Sequence, residues 1–211
     1  MTLNMPITKR AIKNHFHYSF WKYILLAILA IFGWNMLFTT TRYRVPDEKK
    51  MEFYADGSFS AQGTDAAMDV LLENIRQELM PQMEEMSFAP LTVDETYGDM
   101  QLFVWVGAGQ GDVYLLNRER FKRLAAGGTF VDLQPYVDSG VLPVEDIDLT
   151  LGRVRNEDSG QSVLCGIPAD SLIKLESCGI WPKNTVLAVL SSSKNETESV
   201  QFISYLLNNM Q

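Results

Sequence analysis

Residues 107–121 read GAGQGDVYLLNRERF, a stretch that fits either a glycine-rich phosphate loop or the punctuation between a strand and a helix. Gly107, Gly109 and Gly111 alternate, whereas a dinucleotide-binding turn runs G-x-G-x-x-G straight into a helix whose N-terminus meets the pyrophosphate. Here the glycines run into Asp112 and the short apolar run VYLL, residues 113–116, and no Gly-Lys-Ser/Thr follows. The loop is therefore expected to be a strand-to-strand turn or crossover in which glycine supplies backbone freedom. The strand over 113–116 leads at once into a helix: Asn117 is a good N-cap, Phe121 and Leu124 supply the buried stripe, and Gly127 with Gly128 ends it.

Immediately upstream, residues 100–106, MQLFVWV, alternate Leu102, Val104 and Val106 with Phe103 and Trp105. This predicts a strand covered on both faces. Residues 51–54 begin another strand. The segment from Thr64 to Met83 reads as a helix with Met68, Leu71, Leu72, Ile75 and Leu79 on one face, Asp65 and Asp69 near its start and Pro81 at its end. Met80, Met83 and Met86 near that end read as packing.

Downstream, residues 129–143 suggest a helical turn leading to a loop. Residues 149–155 and 161–168 suggest a hairpin across the turn signal NEDSGQ. Residues 185–190, TVLAVL, form a buried-type strand. Asn195 and Glu198 then resemble a capping box for a last helix with Val200, Ile203, Leu206 and Leu207 inward. Helices separated by apolar strands imply an α/β arrangement with a mixed or parallel sheet.

The N-terminal region is of another kind. Residues 23–38, YILLAILAIFGWNMLF, are uncharged, and with their flanks they reach the roughly twenty residues a bilayer needs. Aromatic residues gather at both ends, as interfacial rings prefer. No Ala-x-Ala-like cleavage site follows, and the two cysteines, Cys165 and Cys178, lie far beyond the run, so an uncleaved anchor is expected. The expected organisation is a cytoplasmic tail over 1–19, a transmembrane helix over 20–41, a linker over 42–50 and an extracytoplasmic α/β domain over 51–211. The basic counts on the two flanks tie, and the acid-free tail is placed inside the cytoplasm.

Composition, 46% hydrophobic and 21% charged, is that of a packed fold. Residues 1–50 hold eight Lys or Arg and two Asp or Glu, leaving ten basic against twenty-four acidic residues beyond them, a net charge of −14. Such a domain suits neither nucleic acid nor anionic headgroups. Both histidines, His15 and His17, lie in the tail, so the domain has none for a Ser-His-Asp or Cys-His mechanism or for the common zinc sites. Pairs such as Glu84-Glu85 and Asp146-Asp148 read as solvated charge. No catalytic residue, metal site or cofactor is expected. Cys165 and Cys178 would bridge only if their α-carbons come close in an oxidising space.

QGDVYLLNRERFKRLAAGGTFVDLQPYV, residues 110–137, resembles a segment of bacterial extracellular solute-binding proteins, the receptors of ABC importers. CGIPADS (165–171) and VLAVLSSSKNETESVQFISYLL (186–207) are similar to later parts of that family, in the same order. The resemblance implies a periplasmic-binding-protein-like lobe. Only about a dozen residues separate Ser171 from the last strand, where the family carries a second lobe of 50 or so residues. A single lobe is therefore expected. Ligands of open α/β sheets collect at the carboxyl ends of strands. The candidate ligand-binding residues are accordingly Gln110, Asp112, Asn117 and Arg118, with Trp181 a possible stacking surface. The expected function is non-catalytic binding or presentation of a surface to a protein partner or membrane complex. The alternative is a small-molecule receptor or accessory subunit of an ABC-type importer.

Overall fold

The computed structural model describes residues 9–56, 64–91, 95–155 and 160–211, and the chain divides into two compact units between Arg44 and Val45. The first unit is a single helix, α1 (Lys9–Thr41). Its stretch His17–Thr41 has a mean hydropathy of 1.8 and is long and apolar enough to cross a membrane. The hydroxyls of Thr39, Thr40 and Thr41 donate to the carbonyls of Asn35, Met36 and Leu37, which hides three polar groups within the helix itself.

In the second unit the order is β1 (Lys50–Asp56), α2 (Thr64–Leu79), β2 (Glu85–Leu91), α3 (Glu95–Gly107), β3 (Val113–Asn117), α4 (Arg118–Ala125), α5 (Gln134–Asp138), β4 (Arg153–Arg155), β5 (Ser162–Leu164), β6 (Ile167–Pro168), β7 (Thr185–Val189) and α6 (Glu196–Asn209). The main sheet runs β2-β1-β3-β7-β6. It is mixed: β1 is parallel to both β2 and β3, and β7 is antiparallel to β3 and β6. This is a one-lobe α/β fold.

The period of two along each strand builds the layers. Met51, Phe53, Ala55, Val113, Leu115, Leu187 and Val189 join the core beneath α2 and α6, which supply Met68, Leu72, Ile75, Phe202, Ile203 and Leu206. Tyr54, Tyr114, Leu116, Val186 and Ala188 face the other side, under Leu102 of α3 and Phe121 and Leu124 of α4. The one-sided stripes of α2 and α6 were thus read correctly, except that Leu79 of α2 is partly exposed. Met80 and Met83 are buried packing residues.

Two expectations fail here. Residues 100–106 lie in α3 and are not a strand. A run apolar at nearly every position satisfies a two-residue and a 3.6-residue period equally, and the tertiary fold used the second. The strand on that edge is β2, paired in register with β1 from Lys50↔Glu85 to Asp56↔Leu91. The expected hairpin is shorter, β4 with β5 only; residues 149–152 form a 3-10 turn and Ile167–Pro168 joins the main sheet. Cys165 and Cys178 are free and buried in the two clusters on opposite sides of the sheet, so the layer structure separates them.

Candidate functional site

The glycine loop connects a helix to a strand, which corrects the strand-to-strand expectation. It is a helix end of defined type: the Gly109 N–H donates to Val106 O and the Gln110 N–H to Trp105 O, with Gly109 at φ 65°, the Schellman arrangement. Gly111 has a different reason. At φ 84° it lies so close to the stacked rings of Tyr54 and Tyr114 that a Cβ would sit 2.5 Å from the Tyr54 ring. Both glycines serve packing and termination, and their amides point inward. The Gly111 N–H donates to Glu52 Oε2 and the Asp112 N–H to Glu52 O.

Asp112 is the centre of a polar cluster at the amino-terminal end of β1 and β3. Its Oδ2 accepts from the Glu52 N–H at 2.8 Å, and its Oδ1 accepts from Ser193 Oγ at 2.5 Å and Asn195 Nδ2 at 3.2 Å. Burial raises the Asp112 carboxyl above its ordinary range, against those hydrogen bonds, and the nearby Glu52 charge raises it further. Asn195 does not cap α6 with its side chain, contrary to the expected capping box. Its Nδ2 also donates to Asp47 O and Lys50 O, so the side chain clasps the start of the domain. Lys194 pairs with Asp47 and Lys50 with Glu52. Gln110, Asp112, Ser192 and Ser193 and these charged residues line a cavity of about 350 Å³.

Asn117 and Arg118 stand at the other end of β3, so the structure splits the four predicted residues into two pairs. Asn117 is the N-cap of α4, its Oδ1 accepting from the N–H groups of Glu119 and Arg120. Arg118 is exposed. The strand order reverses between β1 and β3, and the carboxyl ends of those parallel strands are where open α/β sheets take ligands. That position is occupied by ion pairs. Arg120, only 4% exposed, donates from Nη1 to Asp56 at 2.7 Å and from Nε to Asp99 at 2.7 Å, while Arg123 binds the other Asp99 oxygen. Burial works to lower the Arg120 guanidinium and to raise the Asp99 carboxyl. In each case the partner charges and hydrogen bonds prevail, so Arg120 is raised and Asp99 lowered.

The ion pairs fix the orientation of α3. Asp99 ties it to α4, and Leu102 is buried with Trp105 and Val106 packed beside it. The outer face then presents Tyr97 (71% exposed), Met100 (61%), Phe103 (57%) and Val104 (63%). Helices apolar all round are normally buried all round. Residues 92–95, Thr-Val-Asp-Glu, carry a T-x-x-E signature of the kind that precedes helices, and with Gly109 it is the signal in the sequence that the strand reading of 100–106 passed over. Trp181 is likewise half exposed, away from these groups in sequence.

No protein-family model matches the chain, and no curated protein sequence does. Solved structures similar to it include extracellular solute-binding proteins of ABC importers. One is the family 1 protein from Alicyclobacillus acidocaldarius, at 16% identity and TM-score 0.42, covering 61% of this chain and 29% of that one. Another is maltose-bound MalE3 of T. maritima, at 18% identity and TM-score 0.42, covering 62% and 33%. A third is the spermidine/putrescine ABC transporter substrate-binding protein PotD from Streptococcus pneumoniae, at 10% identity and TM-score 0.44, covering 75% and 78%. The chain thus spans a third or less of the length of the first two.

Proposed function

We propose that this chain is a membrane-anchored, non-catalytic interaction domain. In this reading α1 spans a bilayer with residues 1–19 on the cytoplasmic side, and residues 45–211 act outside the cytoplasm by presenting the outer face of α3 to a protein partner. The supporting observation is that face: four large apolar side chains on one stripe of a helix that Asp99 ties to Arg120 and Arg123 of α4. Contiguous apolar patches held in place in this way mark interaction sites. All twenty-six acidic residues of the chain lie in residues 45–211, against twelve basic ones, so a protein surface suits the domain better than an anionic lipid surface. The test is photo-crosslinking from position 100 of the full chain in its native membrane. A protein adduct is expected, lost in Phe103→Glu; no adduct from position 97, 100 or 104 would count decisively against the proposal.

A second reading, a small-molecule receptor or importer subunit, draws on the cavity at Gln110 and Asp112, whose volume lies within the usual ligand range of about 300–1,000 Å³. It is weaker because the polar groups that line the cavity already have partners within the domain: Asp112 accepts from the Glu52 N–H and from Ser193, Lys50 pairs with Glu52 and Lys194 with Asp47. A saturating ligand at a hundred times its Kd adds about 2.7 kcal/mol. Such a ligand would raise the melting temperature of this unit by roughly 5–10 °C. A rise of that size, abolished by Gln110→Ala, would favour the receptor.

A further inference from the structure

We infer that Asp112 is a proton-operated latch on the strap through which the chain enters the domain, residues 45–49: proton uptake by its carboxyl fastens the strap, and proton loss loosens it. The strap ends in the 3-10 turn Asp47–Lys49, none of whose residues is buried. Groups distant along the chain hold it in place. Asn195 Nδ2 donates to Asp47 O at 2.9 Å and to Lys50 O at 2.7 Å, on either side of the turn. Lys194 pairs with Asp47, Lys49 pairs with Glu84, and the Glu84 N–H donates to Lys49 O at 2.8 Å.

At Asn195 the carboxyl and the strap compete. Its side-chain amide has two hydrogens, and three acceptors surround it: the carbonyls of Asp47 and Lys50, and Asp112 Oδ1 at 3.2 Å. A charged Asp112 is the stronger acceptor and draws a hydrogen away from the carbonyls. A neutral Asp112 gives it back. The added proton then has a partner of its own, because Ser193 Oγ lies 2.5 Å from Asp112 Oδ1 and keeps a lone pair free beside the one that takes the Asn195 N–H. Both protonation states fit the cluster, and they differ in what they leave for the strap.

Proton linkage gives the same sign. Asp112 is 7% exposed, and Asp47 of the strap forms part of the wall of the cavity beside it, so lifting the strap admits water to the carboxyl. Burial holds that carboxyl above its ordinary range while the strap is docked; hydrated, it returns toward about 3.9. The docked state therefore binds the proton more tightly, an advantage complete below about pH 3.9 and lost as pH rises through the raised value. The other titratable groups around Asp112 act in known directions. Glu52 raises it further and is itself paired with Lys50, Lys194 is paired with Asp47, and Glu196, next to Asn195, accepts from Tyr136. The phenols of Tyr54 and Tyr114 are pushed upward by burial and stay neutral. Release of the strap adds five residues to the tether, up to roughly 17 Å of reach.

The experiment follows amide exchange of the full chain in uncharged lipid vesicles between about pH 7.5 and about pH 4.5, corrected for the intrinsic pH dependence of exchange. The reporters are the N–H groups of Lys49 and Glu84, which donate to Pro46 O and Lys49 O, while β7 reports opening of the whole domain. Protection of the reporters is expected to rise on the order of threefold or more in acid, with no matching rise in β7. Asp112→Asn, uncharged at every pH, should abolish that rise. Asn195→Ala should leave the reporters weakly protected throughout, and melting curves confirm that each variant is folded. Protection that stays flat or falls in acid, a rise shared equally by β7, or a rise kept in full by Asp112→Asn would overturn the inference. If Asp112→Asn does not fold, Asn195→Ala decides: reporters protected as in the parent, with the same rise, would overturn it equally.

Discussion

Removing the Arg120 guanidinium is the most direct test of how α3 is held. Arg120 is buried, its Nη1 and Nε each 2.7 Å from a carboxylate oxygen, and one of those carboxylates, Asp56, is itself almost fully buried. Arg120→Met keeps much of the volume and stem but leaves the Asp56 carboxylate without its guanidinium partner, with the Asn117 N–H donating to it at 3.2 Å. Breaking a buried pair by deleting one partner costs about 3–5 kcal/mol, because the surviving charge stays desolvated. For a unit of this size each kcal/mol moves the midpoint by about 2–4 °C, so the melting temperature should fall by roughly 6–20 °C. Adding Asp56→Asn should recover most of the loss, since no charge is then stranded; Arg120→Lys should fall between, lacking the fork that reaches both carboxylates. The assay is thermal and urea unfolding of the four proteins at neutral pH, with amide exchange followed along α3. A single Arg120→Met within about 1 kcal/mol of the parent, or a double variant less stable than the single, would refute the reasoning.

Two further outcomes follow from the geometry. Gly111→Ala should destabilise strongly, because an alanine would adopt φ 84° with its Cβ against the rigid Tyr54 ring; a melting temperature equal to the parent's would show that the loop relaxes freely. Asp99, whose carboxyl is held low by Arg120 and Arg123, contributes stability that is present above the ordinary carboxylate value of about 3.9 and lost as pH falls through and below it. Asp112, held high by burial, works in the opposite sense, its neutral form being favoured in acid. Asp99→Asn should therefore lose less stability between pH 6 and pH 3 than the parent, and parallel losses would show that Asp99 is not the group responsible.

The elements legible in the sequence were those whose apolar residues choose one period or form a short run bounded by turn residues. α2 and α6 each bury a single face, the five-residue strands β3 and β7 are buried on both faces between polar loops, and Asn117 announces α4. Residues 100–106 were not legible by periodicity, because nearly every side chain there is apolar. The polar cluster was half legible. Asp112 stood out beside its glycines, but Glu52 and Asn195 are 60 and 83 residues from it, and nothing local in the chain predicts those distances.

The sequence by itself determined that an uncharged run of bilayer length precedes an acidic, histidine-free α/β domain, since length, charge and one-sided periodicity are local properties. Only the tertiary structure decided that the two ends of β3 hold separate polar groups, and that an all-apolar segment is a helix with one face left in solvent. Which face of a segment is buried depends on what packs against it, and that is set by residues distant along the chain.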